Sequence, residues 1–591
     1  MKALLQAGPT GRVPHKMRKW RMGLGLLIAA AASGFMAGAE PAQLNLQHRW
    51  LYVQRNLEID ADVETTITLL ERAAMAGYNG LVLQDRNFMQ WDTLAPNYLA
   101  NAHKVLDACR RLKMEFIPHI FPIGYSQSLL AHDPNLAEGL PVMDAPFVVR
   151  NGSLVPADDP VRILNGGFEE YQGNTPAGWS DVAMPDKISF MDTDVKFEGK
   201  ASLRMQDIRA NDPQSGNASA AQLLKLRPFS YYHVSVAVKT QDFEAARSVR
   251  LQPMGAGSVN LNYFEPNVQK TQDWRRADIV FNSLEFSEIT LRLIVSGDRG
   301  GKIWWDDVRI EPAGLVNVLR RDGTPLRVTS EDGKTVYQEG RDFGAVRDPK
   351  FFNGPQPGRF SIWHEAPSVP VPAGSALKEG QKVFFSYFHP TAVHSEQIMC
   401  CMAEPKVYEL LKWQAEQTCK NLQPDGYFMA HDEMRCQGWD ESCARTKMTP
   451  GQLLAENVKR CVGILGAADP GKPIYVWSDM FDPYHNARKP GRYYLVKGDG
   501  PWYGSWEGLP KEVTVVSWHV HERGRLESLK HFAALGNKQI LAGYYDANPA
   551  LIRPWLNEAA QVEGVVGAMY TTWRNNYADL EKFAAELGPP R

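Results

Sequence analysis

Strand-like and helix-like runs alternate at both ends of this chain and stop alternating in its middle, and that interruption constrains the fold more than any motif does. Towards the N-terminal end, "RWLYVQRN" reads as an apolar strand. "DADVETTITLLERAAMAGYN" has helical spacing, opened by an Asp cap and closed at Gly77, and "GLVLQD" is a short buried strand ending in Asp85. "NYLANAHKVLDACRRLKM" is a second amphipathic helix and "EFIPHIFPIG" a third strand. Past residue 390 the alternation resumes. "DGYFMAHDE", "PIYVWSD", "VTVVSWH", "KQILAGYYD" and "VVGAMYTTW" read as five further strands. Among them lie the helical patterns "EPKVYELLKWQAEQTCKNL", "TPGQLLAENVKRCVGILGAA", "RLESLKHFAALG" and "NPALIRPWLNEAAQV", the second opened by Thr449 with Pro450 at its first position. Three strands plus five make eight, the count of an α/β (β/α)8 TIM barrel interrupted after its third strand. A long excursion from a surface loop adds little to the entropy cost of closing that loop.

The middle of the chain loses helical periodicity. From 161 to 312, "ILNGGFEE", "FEGKASLRM", "YYHVSVAVKT", "DWRRADIVF", "ITLRLIVSG" and "KIWWDDVRI" are short alternating strands punctuated by turns, the pattern of a β-sandwich. Trp304 and Trp305 within it read as packing residues. From 313 to 390, "TPLRVTSEDGKTVYQEGRDF" and "LKEGQKVFFSYFHP" carry Asp-Gly and Glu-Gly turns and read as a small β-module without evident chemistry. The expected division is residues 1–39 as an export signal, 40–160 as the first part of the barrel, 161–312 as the sandwich, 313–390 as the small module and 391–591 as the second part of the barrel with the active site.

The export signal rests on Lys16, Arg18, Lys19 and Arg21, followed by "MGLGLLIAAAASGFMAGA" with a small-x-small site at Ala37–Ala39, so a mature chain starting near Glu40 is expected outside the cytoplasm. An uncleaved anchor is the alternative; the Ala and Gly content favours cleavage, and no second apolar run of spanning length follows. With 591 residues the chain is too long for one compact domain, and a formal net charge of -2 gives no reason to expect a nucleic-acid partner. Of seven cysteines, Cys109 stands alone and Cys400, Cys401, Cys419, Cys436, Cys443 and Cys461 crowd one region. Export permits disulfides, and Cys436 with Cys443 is one pairing that closes a small loop. Paired CxxC spacing is lacking, so neither a metal nor another cofactor is expected.

Barrel enzymes place their chemistry at the C-terminal ends of the strands. Here those ends carry Arg55, Asp85, His119, the adjacent Asp432 and Glu433, Trp477 with Asp479, Trp518 with His519, Tyr545 with Asp546, and Trp573 with Arg574 and Asn575. Aromatic rings interleaved with carboxylates suit a sugar pocket, because rings wall it and exclude water while carboxylates, Arg and Asn hold hydroxyls; exclusion of water also raises the pKa of a buried acid. One difficulty follows from strand geometry. Neighbouring residues point to opposite faces, so Asp432 and Glu433 converge on one substrate only if the strand ends at about Asp432.

The strand ends resemble those of the family 20 glycoside hydrolases, the β-N-acetylhexosaminidases. "MAGYNGLVLQD" is similar to that family's second helix and strand, "FIPHIFPIGYSQ" to its third strand, and "AHDE" to the Gly-Gly-Asp-Glu after its fourth; "YVWSD", "VVSWH", "YYD" and "MYTTW" resemble the later strand ends. Ala430 and His431 stand where the family has glycines, and His119 where it has a carboxylate. The resemblance implies a substrate-assisted retaining mechanism on a glycan. In it Glu433 is the general acid and later base, Asp432 holds the acetamido group, and Tyr545 orients it. Trp477, Trp518 and Trp573 wall the pocket, and Arg55, Asp546, Asp479, His431 and His119 are candidate substrate contacts. The segment 161–312 resembles the jelly-roll carbohydrate-binding modules of the galactose-binding-like group through "NGGFEE", "GKASLR" and "WWDDVRI". Two alternatives stand beside this reading: a retaining glycosidase whose nucleophile is Asp479, Asp546 or Glu522, and a non-catalytic glycan-binding protein on a barrel without activity.

Overall fold

The computed structural model describes residues 44–589 except 159, 211–215, 245–248, 298–299, 353–360, 395–396 and 520, so the expected export signal lies outside the described residues. Eight parallel strands close into a barrel in chain order: β1 (His48–Gln54), β2 (Gly80–Gln84), β3 (Glu115–Ile120), β4 (Tyr427–Met429), β5 (Ile474–Trp477), β6 (Thr514–Ser517), β7 (Gln539–Tyr544) and β8 (Val565–Thr571). The ring closes between β1 and β8, with Trp50 opposite Met569. The strands are apolar along both faces because both are covered. Alternate residues point inward: Trp50, Tyr52, Val82, Ile117, Phe428, Tyr475, Trp477, Val516, Ile540, Ala542 and Met569 fill the barrel, every strand contributing. The intervening residues, among them Leu51, Leu81, Phe116, Met429, Val476, Val515, Leu541 and Tyr570, pack under the helices. Gly80 is required by this filling: a Cβ there would meet the Trp50 indole at 2.2 Å.

The helices that cover the barrel are α1 (Asp60–Met75), α2 (Tyr98–Leu112), α3 (Pro405–Leu422), α4 (Glu441–Thr446), α5 (Pro450–Ala468), α6 (Arg525–Leu535), α7 (Ile552–Ala559) and α8 (Leu580–Glu586). Helix α5 begins as its sequence implies, with a reciprocal capping box between Thr449 and Gln452 and Pro450 in the first turn. Helix α1 does not. Its N-cap is Ile59 without a side-chain cap, and Asp60 sits in the first turn, accepting from Asn97 and Asn101.

The antiparallel sheets all lie between β3 and β4 in the chain. One four-stranded and one five-stranded sheet share a core that includes Phe168, Trp179, Leu203, Val236, Ile279, Leu291 and Trp305. Trp304 is buried too, on the opposite face, where its indole N–H donates to Asp192 (2.9 Å). A third, six-stranded sheet corrects the expected boundaries. Residues 140–156, assigned from sequence to the barrel, instead form two of its strands, Leu140–Arg150 pairing antiparallel with Lys382–His389. Alternate residues Phe147 and Val149 are buried in that sheet's core with Phe385 and Val383, a periodicity of two that belongs to a half-covered sheet and not to a barrel strand. The two stems of the excursion meet: Ala137 and Cys400 form an isolated antiparallel bridge, and the Glu138 N–H donates to the Met399 carbonyl (2.9 Å).

Trp305 is fully buried. Trp305→Ala is expected to destabilise the sandwich by ~3–5 kcal/mol, read as a lower denaturant midpoint of that region's unfolding transition.

Candidate active site

At the C-terminal mouth of the barrel lies a cavity of about 460 Å³, lined among others by Tyr52, His119, Tyr125, Asp432, Glu433, Trp477, Trp518 and Trp573. Asp432 and Glu433 both reach it because β4 ends early, at Met429, and because Glu433 takes a left-handed backbone conformation (φ 47°). Left-handed non-glycine residues recur at this mouth: Phe121 after β3, Tyr544, Tyr545 and Asp546 in succession at the end of β7, and Asn575 after β8. Such conformations are costly and collect where a site imposes them. Gly124 makes the approach of the β3 loop possible, since a Cβ there would lie 2.0 Å from the Asp432 carbonyl oxygen.

The two carboxylates live in opposite electrostatic environments. Glu433 Oε1 is paired with Arg435 Nη2 (2.7 Å), and its Oε2 accepts from the Tyr125 hydroxyl (2.7 Å), which in turn accepts from Arg435 Nη1 (3.2 Å). Arg435 is held by Gln397, whose amide N–H also donates to the carbonyls of Gly124 (2.8 Å) and Glu433 (2.7 Å). Burial alone would raise the pKa of Glu433; the Arg435 charge and the bonds from Tyr125 and Arg435 outweigh it and leave the group lowered, hence ionised. Asp432 forms no such ion pair among the described residues. Burial first, then the nearby Asp479 and Glu433 charges, push its pKa well above the usual carboxylate range.

The other expected residues divide. Trp477 and His119 line the cavity and are joined, the indole N–H donating to His119 Nε2 (3.1 Å); burial lowers the His119 pKa to about 3, so this ring is neutral. Trp518 and Trp573 also line it, with the Tyr545 ring between them at 6.2 and 6.0 Å. The Tyr545 hydroxyl is buried without a hydrogen-bond partner, within electrostatic reach of Asp479, Asp432 and Glu433. Asp479 is fully buried and accepts from Glu433 N (2.9 Å), Trp518 Nε1 (3.0 Å) and Asn486 Nδ2 (2.8 Å), so it positions the acid loop and one wall; burial raises its pKa to about 7. Asp546 accepts from the Thr572 hydroxyl (2.5 Å) and Trp573 N (3.0 Å), fixing the β8 loop.

Four expectations fail. His431 points away from the cavity: it is fully buried and bonded through Nε2 to Asn457 of α5 (2.8 Å), because residues 430 and 432 take the inward face and 431 the outward one. Arg55 turns back to its neighbour's carbonyl (Gln54, 2.8 Å) and lies over the Tyr577 ring, outside the cavity lining. None of the proposed nucleophiles Asp479, Asp546 and Glu522 lines the cavity; the first two are engaged as above, and Glu522 is exposed. The Cys436–Cys443 disulfide is absent too, all seven cysteines being free thiols. Tyr125, Arg435 and Gln397 are the residues that sequence reasoning passed over. Arg435 stands two residues beyond Glu433 and was the one available signal.

No family model matches the chain, and no curated protein does. Among solved structures, a rhamnosidase from Novosphingobium sp. PP1Y is similar over 89% of this chain and 55% of its own, at 11% identity and a TM-score of 0.29. A chitobiase from Flavobacterium johnsoniae is similar over 32% of this chain and 30% of its own (15% identity, TM-score 0.22). A carbohydrate-binding module solved with β-1,4-galactotriose is similar over 25% of this chain and 97% of its own (17% identity, TM-score 0.19). Likenesses this distant carry no argument about the site, whose chemistry rests on its own residues.

The opposed environments fix the sign of two pH effects. The folded pKa of Asp432 lies above its unfolded value (~3.9), so the folded chain binds more protons and stability falls as pH rises from there towards the raised folded value. Asp432→Asn removes that loss; its urea midpoint is expected to exceed the wild-type value at neutral pH and to converge with it in acid. Glu433 has the reverse sign, its contribution being present above ~4.3 and lost as pH falls through the lowered folded value. Arg435→Met leaves that half-buried carboxylate without its counter-charge. An expected cost of ~3–5 kcal/mol at neutral pH, shrinking as Glu433 takes up a proton in acid, is read from the same titrations.

Proposed function

We propose that this chain is an exported glycoside hydrolase that cleaves O-glycosidic bonds in glycans, with Asp432 as the general acid and Glu433 as the ionised partner. One observation carries the reading: two adjacent carboxylates share one aromatic-walled cavity, and their surroundings drive their pKa values apart. Paired carboxyl groups of opposite protonation are what glycosyl transfer to water requires. A protonated Asp432 gives its proton to the leaving oxygen. Charge develops at the anomeric carbon as that bond breaks; the carboxylate of Glu433, held ionised by Arg435, stabilises it and takes the proton of the water that adds to that carbon. Trp477, Trp518, Trp573 and Tyr545 supply flat apolar faces for sugar rings, and the volume lies within the ~300–1,000 Å³ usual for small-molecule sites. The N-terminal basic and apolar run supports export. Glycan binding by the sandwich is part of the proposal.

A second reading, β-N-acetylhexosaminidase-like action with the substrate's own acetamido oxygen as nucleophile, is favoured by the unpartnered Tyr545 hydroxyl beside both carboxylates. It makes Glu433 the acid, and the Arg435 ion pair weighs against that role.

The test is a panel of aryl β-N-acetylglucosaminide, β-N-acetylgalactosaminide and plain hexoside substrates. Asp432→Asn and Glu433→Gln are each expected to lower kcat by ~10²–10⁴-fold, and loss of activity on the alkaline side should follow deprotonation of Asp432. Release confined to the acetamido sugars would select the second reading. Cleavage of none, with glycans still bound, would leave a binding protein.

A further inference from the structure

A second cluster of chemically competent side chains sits away from the cavity, at the neck where the β-rich excursion joins the barrel. Glu138 closes the outgoing stem, just before the strand Leu140–Arg150. Cys401 stands on the returning stem, just before α3. Asp440 is the N-cap of α4, and Cys443 lies in its first turn. One donor atom from each of the four lies within 4.8 Å of every other, and all four residues are buried. The Sγ atoms of Cys401 and Cys443 are 3.5 Å apart, Cys401 Sγ is 3.6 Å from Asp440 Oδ1, and Cys443 Sγ is 3.4 Å from Glu138 Oε2. A tetrahedral zinc ion with bonds of ~2.3 Å to sulfur and ~2.0–2.2 Å to oxygen has ligand atoms ~3.3–3.8 Å from one another, so these three edges match that polyhedron.

The charges point the same way. The Arg321 guanidinium at the cluster is divided between Asp440 Oδ2 (2.6 Å) and Glu404 Oε1 (2.7 Å). Glu138 forms no ion pair among the described residues; it accepts from neutral donors, Trp439 N (2.8 Å), Gln437 Nε2 (3.0 Å) and the Cys443 thiol (3.4 Å). A buried carboxylate without a counter-charge is expensive. The amide of Gln437, itself fully buried, sits against Glu138 and Cys443 Sγ (2.8 Å), and its Oε1 has no hydrogen-bond partner. The donors around the cluster also orient its carboxylates as outer groups do in metal sites: Trp439 N on Glu138, and Cys443 N (2.9 Å) with Arg321 on Asp440.

We infer that Glu138, Cys401, Asp440 and Cys443 form a closed structural site for a thiophilic divalent cation, zinc by ligand type, that clasps both stems of the excursion to the loop following β4. Four protein ligands leave no position for a substrate, so its role is to hold the neck. The thiols give up their protons to solvent as the ion binds, and no redox step is involved.

The full chain, purified from zinc-supplemented medium without chelator, is expected to carry about one equivalent of zinc by plasma mass spectrometry. Its cobalt(II)-substituted form should show thiolate-to-metal charge-transfer absorption. Cys401→Ser and Cys443→Ser should abolish that band, while Cys109→Ser, in the barrel's outer core, should keep it. Because a buried cysteine variant can fail to fold, Glu138→Gln is the second arm: unchanged circular dichroism with at least ~10-fold weaker zinc retention against a chromophoric chelator. Less than ~0.1 equivalent of metal in the wild-type chain overturns the inference, whether or not a non-reducing peptide map finds Cys401 joined to Cys443. Retention unchanged in all three ligand variants overturns it as well.

Discussion

The ion pair between Arg435 and Glu433 is the interaction around which the mouth of this barrel is organised. A guanidinium that is only 3% exposed needs an anion and donor-satisfying oxygens. Glu433 supplies the anion, Gln397 and Tyr125 supply the oxygens, and each of these comes from a different loop. Gln397 in turn ties the β3 loop, through Gly124, to the backbone of Glu433. The pair therefore does more than set one protonation state. It draws together the loop after β3, the segment returning from the excursion and the turn after β4, and in doing so it leaves Asp432 as the carboxyl group without an ion pair among the described residues.

The excursion is joined to that arrangement and not merely appended. Tyr263 of the sandwich donates its backbone N–H to Val393 (2.7 Å) and stacks on His394, which lines the cavity, while Arg250 lies over the Tyr263 ring. Burial first, then the Arg435 charge, lowers the His394 pKa to about 4, so it faces Glu433 as a neutral ring. Sandwich, neck and site thus share one continuous set of packed groups, which is why Cys436 and Leu495 of the barrel loops belong to the sandwich core.

Much of the architecture was legible because it is written in local periodicity. Eight apolar runs at regular positions, helices with caps and turn residues where chain direction reverses are all short-range signals, and β1–β8 follow them. Residues 140–156 were misassigned because a two-residue alternation is ambiguous until its partner strand, more than two hundred residues later, is known. At the site, the Trp residues and the acidic pair could be found from strand ends, whereas their electrostatics could not. Asp432 and Glu433 are neighbours with similar intrinsic chemistry, and what separates them is the Arg435 charge, held in place by Gln397 and joined by Tyr125, both contributed from distant parts of the chain. His431 was misjudged for a simpler reason, since inward and outward faces alternate even at the frayed end of a strand. The cysteines, close in sequence, suggested a local loop; their neighbours in space include Glu138, from before the excursion.

Asp479 carries a consequence of a mechanical kind. One carboxylate receives the backbone of Glu433, the indole of Trp518 and the amide of Asn486. Glu433 and a wall of the pocket are thereby bolted to a single point just after β5. Tolerances at such a point do not average out: a displacement there shifts Glu433 and the wall together and keeps their spacing, and Tyr125, bonded to Glu433, passes it on to the β3 loop.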